Sequence, residues 1–354
     1  MKKIRIERIA ISNYKGIDSL TVHFPEGKMT SDPDINILGS KNGIGKTSVL
    51  ECCALILFAA STPQAIFQEG LRISYSDIIR SGAKKTSIWG VVSVDGTLHK
   101  ISLSIQRDGR IQTLGGIKNL LSSNGNTTPD IFNRILGMYP DPVSEKCFFF
   151  LHSYRKIQEG KPELGMLIDD DTPSFVDRRI PMRYRMIERE TISFSLFKRI
   201  IVRYLMEEAN LFEPELFKKH AEDQKAPHVL NDLLKTYANV KIGKLRPYRN
   251  NTIDVQVEKV NEPSQSFSID GLSSGQKEII STLFMIWNTT QNKSSVVMID
   301  EPELHLNAHW YAGFVDKLLQ IAPNNQYIMA THAEAIMASV NKENRILLAE
   351  GDKK

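Results

Sequence analysis

Cysteine is scarce in this chain of 354 residues. The three present, Cys52, Cys53 and Cys147, cannot all pair, and none stands in a Cys-x-x-Cys arrangement that would hold zinc or run redox chemistry. They are expected as reduced core residues. Long apolar runs are lacking too: the longest, Cys52 to Ala60, is about half the roughly 18 residues that a membrane-spanning helix needs, so no span is expected. Met1-Lys2-Lys3-Ile4-Arg5 alternates charge with apolar residues instead of leading into an apolar stretch, which predicts no secretory leader and a cytoplasmic protein. A large charge of one sign is also missing, since a net charge of +4 does not announce a nucleic-acid binder. With 41% hydrophobic and 24% charged residues, the composition excludes a disordered or fibrous chain, and the length fits one elaborated domain or two.

The small charge is unevenly spread. Between Arg178 and Asn250 there are sixteen Lys plus Arg against nine Asp plus Glu. Arg178, Arg179, Arg183, Arg185, Arg189, Lys198, Arg199 and Arg203 read either as a solvated helical arm or as a surface for nucleic-acid phosphates or an acidic protein; the excess fits both.

Periodicity organises the rest. Strand alternation runs through Ile4, Ile6, Ile9 and Ile11, and again through Leu20, Val22 and Phe24, joined across Asn13-Tyr14-Lys15-Gly16. Trp89 to Val94 and Ile101 to Ile105 alternate around Asp95-Gly96, a hairpin signal. An apolar strand at Ile35 to Leu38 precedes a glycine-rich turn and a helix from about Lys46 to Ala59. Helical spacing covers Ile192 to Leu211, with Phe194, Phe197, Ile201, Tyr204 and Leu205 on one face, and Val229 to Tyr237. Alternation returns over Ile253 to Phe267, and Ile269-Asp270-Gly271 leads into a helix, Gln276 to Thr289. The last third alternates strand and helix: Val296 to Ile299, Ala308 to Ile321, Gln326 to Ala330, a helix near Ala335, and Arg345 to Ala349. That order predicts a parallel sheet with helices on its faces.

Ser40-Lys41-Asn42-Gly43-Ile44-Gly45-Lys46-Thr47 lies between a predicted strand and a predicted helix, the context a phosphate-binding loop requires. Gly43 and Gly45 let backbone N–H groups approach phosphates without side-chain obstruction. Lys46 supplies positive charge to the outer phosphates, and the Thr47 hydroxyl can ligate Mg²⁺. The first glycine of the usual pattern is Ser40 here, with Gly39 one residue earlier. Val296-Val297-Met298-Ile299-Asp300-Glu301 ends a buried strand in two acids, at the sheet end where open parallel sheets bind ligands. Asp300 is placed to hold Mg²⁺, and Glu301 to orient and deprotonate a water. Tyr327 to Thr331 brings His332 to the same end, where it could sense the terminal phosphate. Asp270-Gly271-Leu272-Ser273-Ser274-Gly275-Gln276-Lys277 precedes a helix and reads as an anion-binding helix start or simply as a capped one.

As an ordered set these motifs resemble the nucleotide-binding domains of the ABC, SMC and RecF type. The resemblance covers about the first 150 and the last 100 residues, and it makes Ser40 to Thr47 the phosphate loop, with Asn42, Gly43, Gly45, Lys46, Thr47 and Ser48 around the nucleotide. Leu272 to Gln276 becomes the signature loop, contributing Ser273, Gly275 and Gln276, with Ser274 where a glycine is common. Asp300-Glu301 becomes the Walker B end, and His332 the switch histidine. Within that class the chain resembles the small ATPases related to overcoming-lysogenization-defect proteins, used by anti-phage systems of the Septu, PARIS and retron kinds. The carrying residues are Ile11-Ser12-Asn13-Tyr14-Lys15-Gly16-Ile17, Phe150-Leu151-His152-Ser153-Tyr154-Arg155 and Asp300-Glu301-Pro302-Glu303-Leu304-His305-Leu306. The glutamine-bearing Mg²⁺ loop of the family has no obvious counterpart; Gln158 is nearest, with Ser153 or Tyr154 as alternatives.

The resemblance implies an α/β fold: an ABC-type nucleotide-binding domain with an antiparallel β lobe, a parallel sheet flanked by helices, and a helical insertion. Residues 1–155 would carry the phosphate loop, 156–250 the insertion, and 251–354 the signature, Walker B and switch histidine. It implies ATP hydrolysis with Mg²⁺, catalysed by Lys46, Glu301 and His332 with Thr47 and Asp300 on the metal. It also implies a head-to-tail dimer or higher homo-oligomer in which Ser273 and Gly275 of one copy close on ATP held by the other. A separate effector such as a nuclease would be controlled in phage defence; a DNA-binding repair ATPase of the RecF kind is the alternative, which keeps nucleic acid open as a partner. His305 and His309, four apart, lack a third ligand at suitable spacing and are expected to shape the turn, not to hold zinc. Phe148, Phe149 and Phe150 are expected in the core. The closing Glu350-Gly351-Asp352 resembles the opening of a Toprim nuclease, but with two residues following it the stretch is expected as the end of the closing strand.

Overall fold

The computed structural model describes residues 3–27, 32–39, 45–61, 75–117, 132, 134–136, 142–145, 147–155, 159–161, 196–208, 226–262, 264–291, 294–304 and 306–348. The chain divides into two compact units, one of Met1–Arg155 with Thr289–Lys354 and one of Lys156–Asn288.

The first unit begins with β1 (Ile4–Tyr14) and β2 (Ile17–His23), then β3 (Ile35–Gly39), α1 (Lys46–Ser61) and the short α2 (Tyr75–Ile78). It continues through β4 (Lys85–Val94), β5 (Thr97–Gln106), β6 (Ile111–Leu114), β7 (Val143–Ser144) and β8 (Phe148–Leu151). Five of these strands form an antiparallel sheet in the order β2-β1-β4-β5-β6. The β4–β5 hairpin turns on Asp95 and Gly96, both at positive φ (51° and 79°). A two-residue turn of that hand matches strand twist, and Asp-Gly adopts it at little cost. In β1 the apolar alternation changes parity between Ile6 and Ile9, and the pairing with β4 slips between Ile6 and Arg8. A one-residue slip moves side chains to the other face. Because the chain bulges there, Ile4, Ile6, Ile9 and Ile11 are all buried.

The second unit contains α3 (Leu196–Glu208), α4 (Ala226–Ala238), β9 (Val240–Pro247), β10 (Ile253–Lys259), β11 (Ser266–Ser268) and most of α5 (Ser274–Thr290). Its three strands form a sheet in the order β11-β10-β9. β9 lies inside the stretch read from sequence as a helical arm. Its apolar residues Val240, Ile242 and Leu245 break alternation at Gly243 and Lys244, where the β9–β10 register also slips, so the period-2 signal is lost.

The chain returns to the first unit with β12 (Val296–Asp300), α6 (Ala308–Ile321), β13 (Gln326–Thr331), α7 (Glu334–Ala338) and β14 (Arg345–Leu347). These join a six-stranded sheet, β14-β3-β13-β12-β8-β7, parallel except for the edge strand β7. Phe148, Phe149 and Phe150 are core residues of β8. α1 packs against β1, β4 and β5 on one side and β8, β12 and β13 on the other. A helix covered by two sheets must be apolar nearly all round, and Val49 to Ala60 are buried without a break. Cys52 and Cys53 on this helix and Cys147 before β8 are free and buried. Glu51 is the exception in kind: it accepts bonds from the Tyr14 hydroxyl (2.8 Å) and Lys15 Nζ (2.6 Å), which anchor the Asn-Tyr-Lys-Gly turn to α1. The two sheets are tied by Gln326, whose side chain accepts from Ile6 N at 2.7 Å and donates to Ile6 O at 2.8 Å. No helix among the described residues is long and apolar enough to cross a membrane.

Candidate active site

Strand register sets four carboxyl ends side by side. Gly39 of β3 faces Thr331 of β13, Ala330 faces Asp300 of β12, and Ile299 faces Leu151 of β8. β12 and β8 hand the chain to turns at this edge and β13 leads there to His332, so residues far apart in sequence converge where parallel sheets present their ligand crevice.

After β3 the loop residues Ser40 to Ile44, including Asn42 and Gly43, lie outside the described residues. Gly45 is at φ 96°, a conformation that L side chains resist, and a Cβ there would come within 3.0 Å of Ile17. Lys46 and Thr47 then open α1, with Ser48 buried in its first turn. Thr47 Oγ1 donates to Asp300 Oδ2 at 2.9 Å. Asp300 is 1% exposed, and its other oxygen, Oδ1, has no partner at hydrogen-bond geometry among the described residues, although the Ser153 hydroxyl is near enough to the carboxyl to lower its pKa. Burial pushes its carboxyl up to about 6; the Thr47 bond opposes this and the neighbouring Glu301 charge adds to it. A buried, half-satisfied carboxylate beside a threonine hydroxyl fits a hard divalent cation such as Mg²⁺, which takes oxygen ligands.

Lys46 is buried, which pushes its amine pKa down against the pull of Asp300, Glu301 and Glu303. Its Nζ lies 2.9 Å from His332 Nε2. The imidazole is in turn 3.9 Å from Glu301 Oε1. Glu301 extends the β12–β13 ladder by donating its N–H to Ala330 O (2.8 Å) and then turns the chain at φ 47°. That left-handed conformation costs a non-glycine residue about 1–3 kcal/mol, so the surroundings must impose it. Lys46, Thr47, Asp300, Glu301 and His332, expected at one sheet end, are together there.

Comparison with known proteins places the chain in a family. A family described as AAA domain matches residues 8–259, and one described as AAA ATPase domain matches residues 188–337. The chain belongs to the AAA domain family, and it is an ATPase. The Escherichia coli protein named Retron Ec83 probable ATPase is 22% identical over 407 aligned positions, spanning 99% of this chain and 72% of that one. The Vibrio cholerae protein named Retron Vc95 probable ATPase is 29% identical over 134 residues, 35% of this chain and only 25% of its own length. Among solved structures, the Pyrococcus furiosus Smc head domain bound to the C-terminal domain of ScpA superposes with a TM-score of 0.53 at 16% identity, covering 99% of this chain and 94% of that one. At that identity the likeness establishes the fold, an SMC-head α/β architecture.

In this ATPase, Arg155 has a role that sequence reasoning, which named it only within the Phe150 to Arg155 run, did not assign. It follows β8 and donates from Nη1 to His152 O (2.9 Å) and Asp300 O (2.7 Å), and from Nη2 to Glu301 O (3.1 Å). It thereby braces the Asp300–Glu301 backbone, including the strained residue. The available signal was a lone arginine after an apolar strand, which does not announce a backbone partner 145 residues away. Gln158 and His305 lie outside the described residues, as do 178–189 of the basic stretch, Ala349 and Glu350-Gly351-Asp352; the side chain of His309 is likewise not described.

His152 is 2% exposed and lies between Phe150, tilted against it at a centroid distance of 4.0 Å, and Tyr154, stacked on it at 4.8 Å. Burial lowers its pKa from 6.5 to about 4. Because the folded value is depressed, the unfolded chain takes up this proton first as pH falls. Stability attributable to His152 is therefore intact above pH 6.5 and lost between 6.5 and about 4, to a total of about 3 kcal/mol. Urea unfolding of wild type and His152→Phe should converge or cross as pH drops through that window; parallel curves would contradict the assignment.

The remaining expected residues belong to the second unit. Ser273 caps α5: Gln276 N donates to Ser273 Oγ (3.3 Å) and Ser273 N to Gln276 Oε1 (3.0 Å), a reciprocal capping box. Gln276 also donates from Nε2 to Tyr237 O at 3.2 Å. Ser273 and Ser274 are exposed at this helix start, while Gly275 is buried. The structural role of the stretch is thus filled within one chain. Its preceding Asp270 is held by Lys198, which is buried, and by Gly160 N at 3.1 Å.

Proposed function

We propose that two copies of this ATPase dimerise head to tail around two Mg·ATP and that hydrolysis separates them, so that nucleotide state controls association. The convergence of Lys46, Thr47, Asp300, Glu301 and His332 at one sheet edge carries this reading. In it, Asn42, Gly43, Gly45, Lys46, Thr47 and Ser48 surround the triphosphate, the α1 start facing its charge. Thr47 and Asp300 hold Mg²⁺, which supplies neutralisation of charge on the outer phosphates. Glu301 accepts a proton as water adds to the terminal phosphorus and the bond to the bridging oxygen breaks, releasing ADP and phosphate. Lys46 and His332 stabilise the terminal phosphate. Ser273, Gly275 and Gln276 come from the other copy, which is consistent with their belonging to a different unit from the phosphate-side residues. Because ATP then binds the dimer better than the monomer, its binding favours association by linkage.

The dimer acts in this reading as a sensor or scaffold for a separate effector such as a nuclease, in a bacterial anti-phage system. Two relatives named as retron ATPases support that placement. Sedimentation with Mg²⁺ and a non-hydrolysable ATP analogue should double the mass seen with ADP. An unchanged mass in the analogue, at concentrations that saturate binding, would remove the dimer.

A further inference from the structure

Glu303 sits two residues beyond Glu301, across Pro302, and its carboxylate is fully engaged. Oε1 accepts the backbone N–H of His332 at 2.7 Å, and Oε2 accepts the Thr331 hydroxyl at 2.8 Å. Thr331 Oγ1 in turn accepts Ala333 N at 2.9 Å. The stretch that carries His332 has little other local support. Ala333 occupies the cap position of α7 and offers no side-chain cap, and α7 itself spans only Glu334–Ala338. The turn after β12 reaches this stretch because Glu301, at φ 47°, reverses the chain over the end of β13, and Leu304 N and Leu306 N close it onto Glu301 O and Glu303 O at 3.0 Å. Arg155 holds the other side of the same turn through the Asp300 and Glu301 carbonyls.

We infer that Glu303 is a positioning residue that fixes the His332 imidazole between Lys46 and Glu301. The inference rests on the reading of Lys46, Glu301 and His332 as the hydrolytic set. Two commitments separate Glu303 from a second base. Both its oxygens already accept hydrogen bonds from Thr331 and His332, whereas Glu301 directs its carboxylate towards the imidazole. A side chain so engaged acts through what it holds. The clamp also joins the two strand ends chemically: the acidic turn of β12 and the histidine turn of β13 move together or not at all. The Glu303 charge reaches Lys46 as well, so geometry and charge are two routes by which its loss could act, and the test must part them.

Glu303→Ala removes both; Glu303→Gln keeps an acceptor oxygen for the His332 amide and removes the charge, while its NH₂ group donates to Thr331 Oγ1 where the carboxylate accepted from it. The first readout needs no nucleotide. Hydrogen exchange at the His332 amide should quicken about tenfold in Glu303→Ala, the consequence of losing one good hydrogen bond, and stay near wild type in Glu303→Gln. The second is steady-state hydrolysis: kcat should fall about 10- to 100-fold in Glu303→Ala with KM changed less than about 3-fold, since a misplaced group costs the reaction more than it costs binding. Glu303→Gln should recover most of kcat. Wild-type kcat in Glu303→Ala, unchanged amide exchange, or a Gln variant as slow as the Ala variant would each overturn positioning, the last in favour of charge. A wild-type protein without hydrolysis would instead remove the underlying assignment of the site, while the exchange comparison still decides whether the clamp exists.

Discussion

Replacing Glu301 by Gln is expected to lower steady-state ATP hydrolysis by about 10²- to 10⁴-fold, the range a positioned general base contributes, while ATP binding persists. The distinction follows from which atoms each residue presents. Phosphate charge would be met by Lys46 and the start of α1, neither of which the substitution touches, and Asp300 keeps its bond from Thr47 at 2.9 Å. Glutamine is nearly isosteric, so the left-handed turn at φ 47° and the ladder bond to Ala330 O remain available to it. Proton acceptance is lost, together with a charge that bears on Lys46 and Asp300. If binding persists without cleavage, the dimer proposed above should accumulate with ATP itself, and sedimentation of the variant in Mg·ATP should match wild type in the non-hydrolysable analogue. Single-turnover cleavage within about tenfold of wild type would remove Glu301 as the base.

Local chemistry made much of this molecule legible before its fold was known. The strand through Ile4, Ile6, Ile9 and Ile11 was legible as one run, and its change of parity is explained by the bulge that the structure shows in β1, which keeps both pairs on the core. Asp95-Gly96 encodes its hairpin, and the run Val296 to Asp300 ends its strand with the carboxylate at the sheet edge. Lys46 and Thr47 were visible at a helix start after a strand, and Asp300, Glu301 and His332 at strand ends, which a parallel sheet brings to one edge. What stayed hidden depends on pairs without periodicity. Arg155 finds Asp300 and Glu301 backbone, Gln326 finds Ile6 backbone, and Glu303 finds His332 backbone, each a bond to groups that every residue possesses. No residue type at the partner position signals them. The Ser273 to Gln276 stretch shows the converse: one tetrad satisfies the rules of a helix cap by itself, so a role towards a second copy is added to a structural role already filled.

Replacing Asp34 by Ala is expected to cost about 3–5 kcal/mol of stability, the penalty for leaving a buried charge without its partner. Arg5 is 3% exposed; its Nε donates to Asp34 Oδ2 at 2.9 Å, with a second contact from Nη2 to Oδ1 at 3.3 Å. Nη2 also donates to Phe24 O at 2.9 Å, and Nη1 to Glu7. Burial pushes the Asp34 carboxyl pKa up and the Arg5 bond pulls it back, so the pair already carries a desolvation cost that its own hydrogen bonds, with the Glu7 contact, offset. Removing the carboxylate keeps the cost and deletes the offset. Changing Arg5 and Asp34 together to Leu should therefore recover part of the loss, leaving the Phe24 carbonyl and the Glu7 carboxylate without the Arg5 donor. The pair joins β1 to the start of β3, and Asp34 O also accepts Tyr327 N at 2.8 Å, so the loss should be felt across both sheets of the first unit. Because Asp34 lies at the opposite end of β3 from the phosphate loop, hydrolysis per folded molecule should stay near wild type well below the unfolding transition. A urea midpoint displaced by less than about 1 kcal/mol equivalent would show that Arg5 finds other compensation, while a loss of turnover without loss of stability would place Asp34 in the site instead of the scaffold.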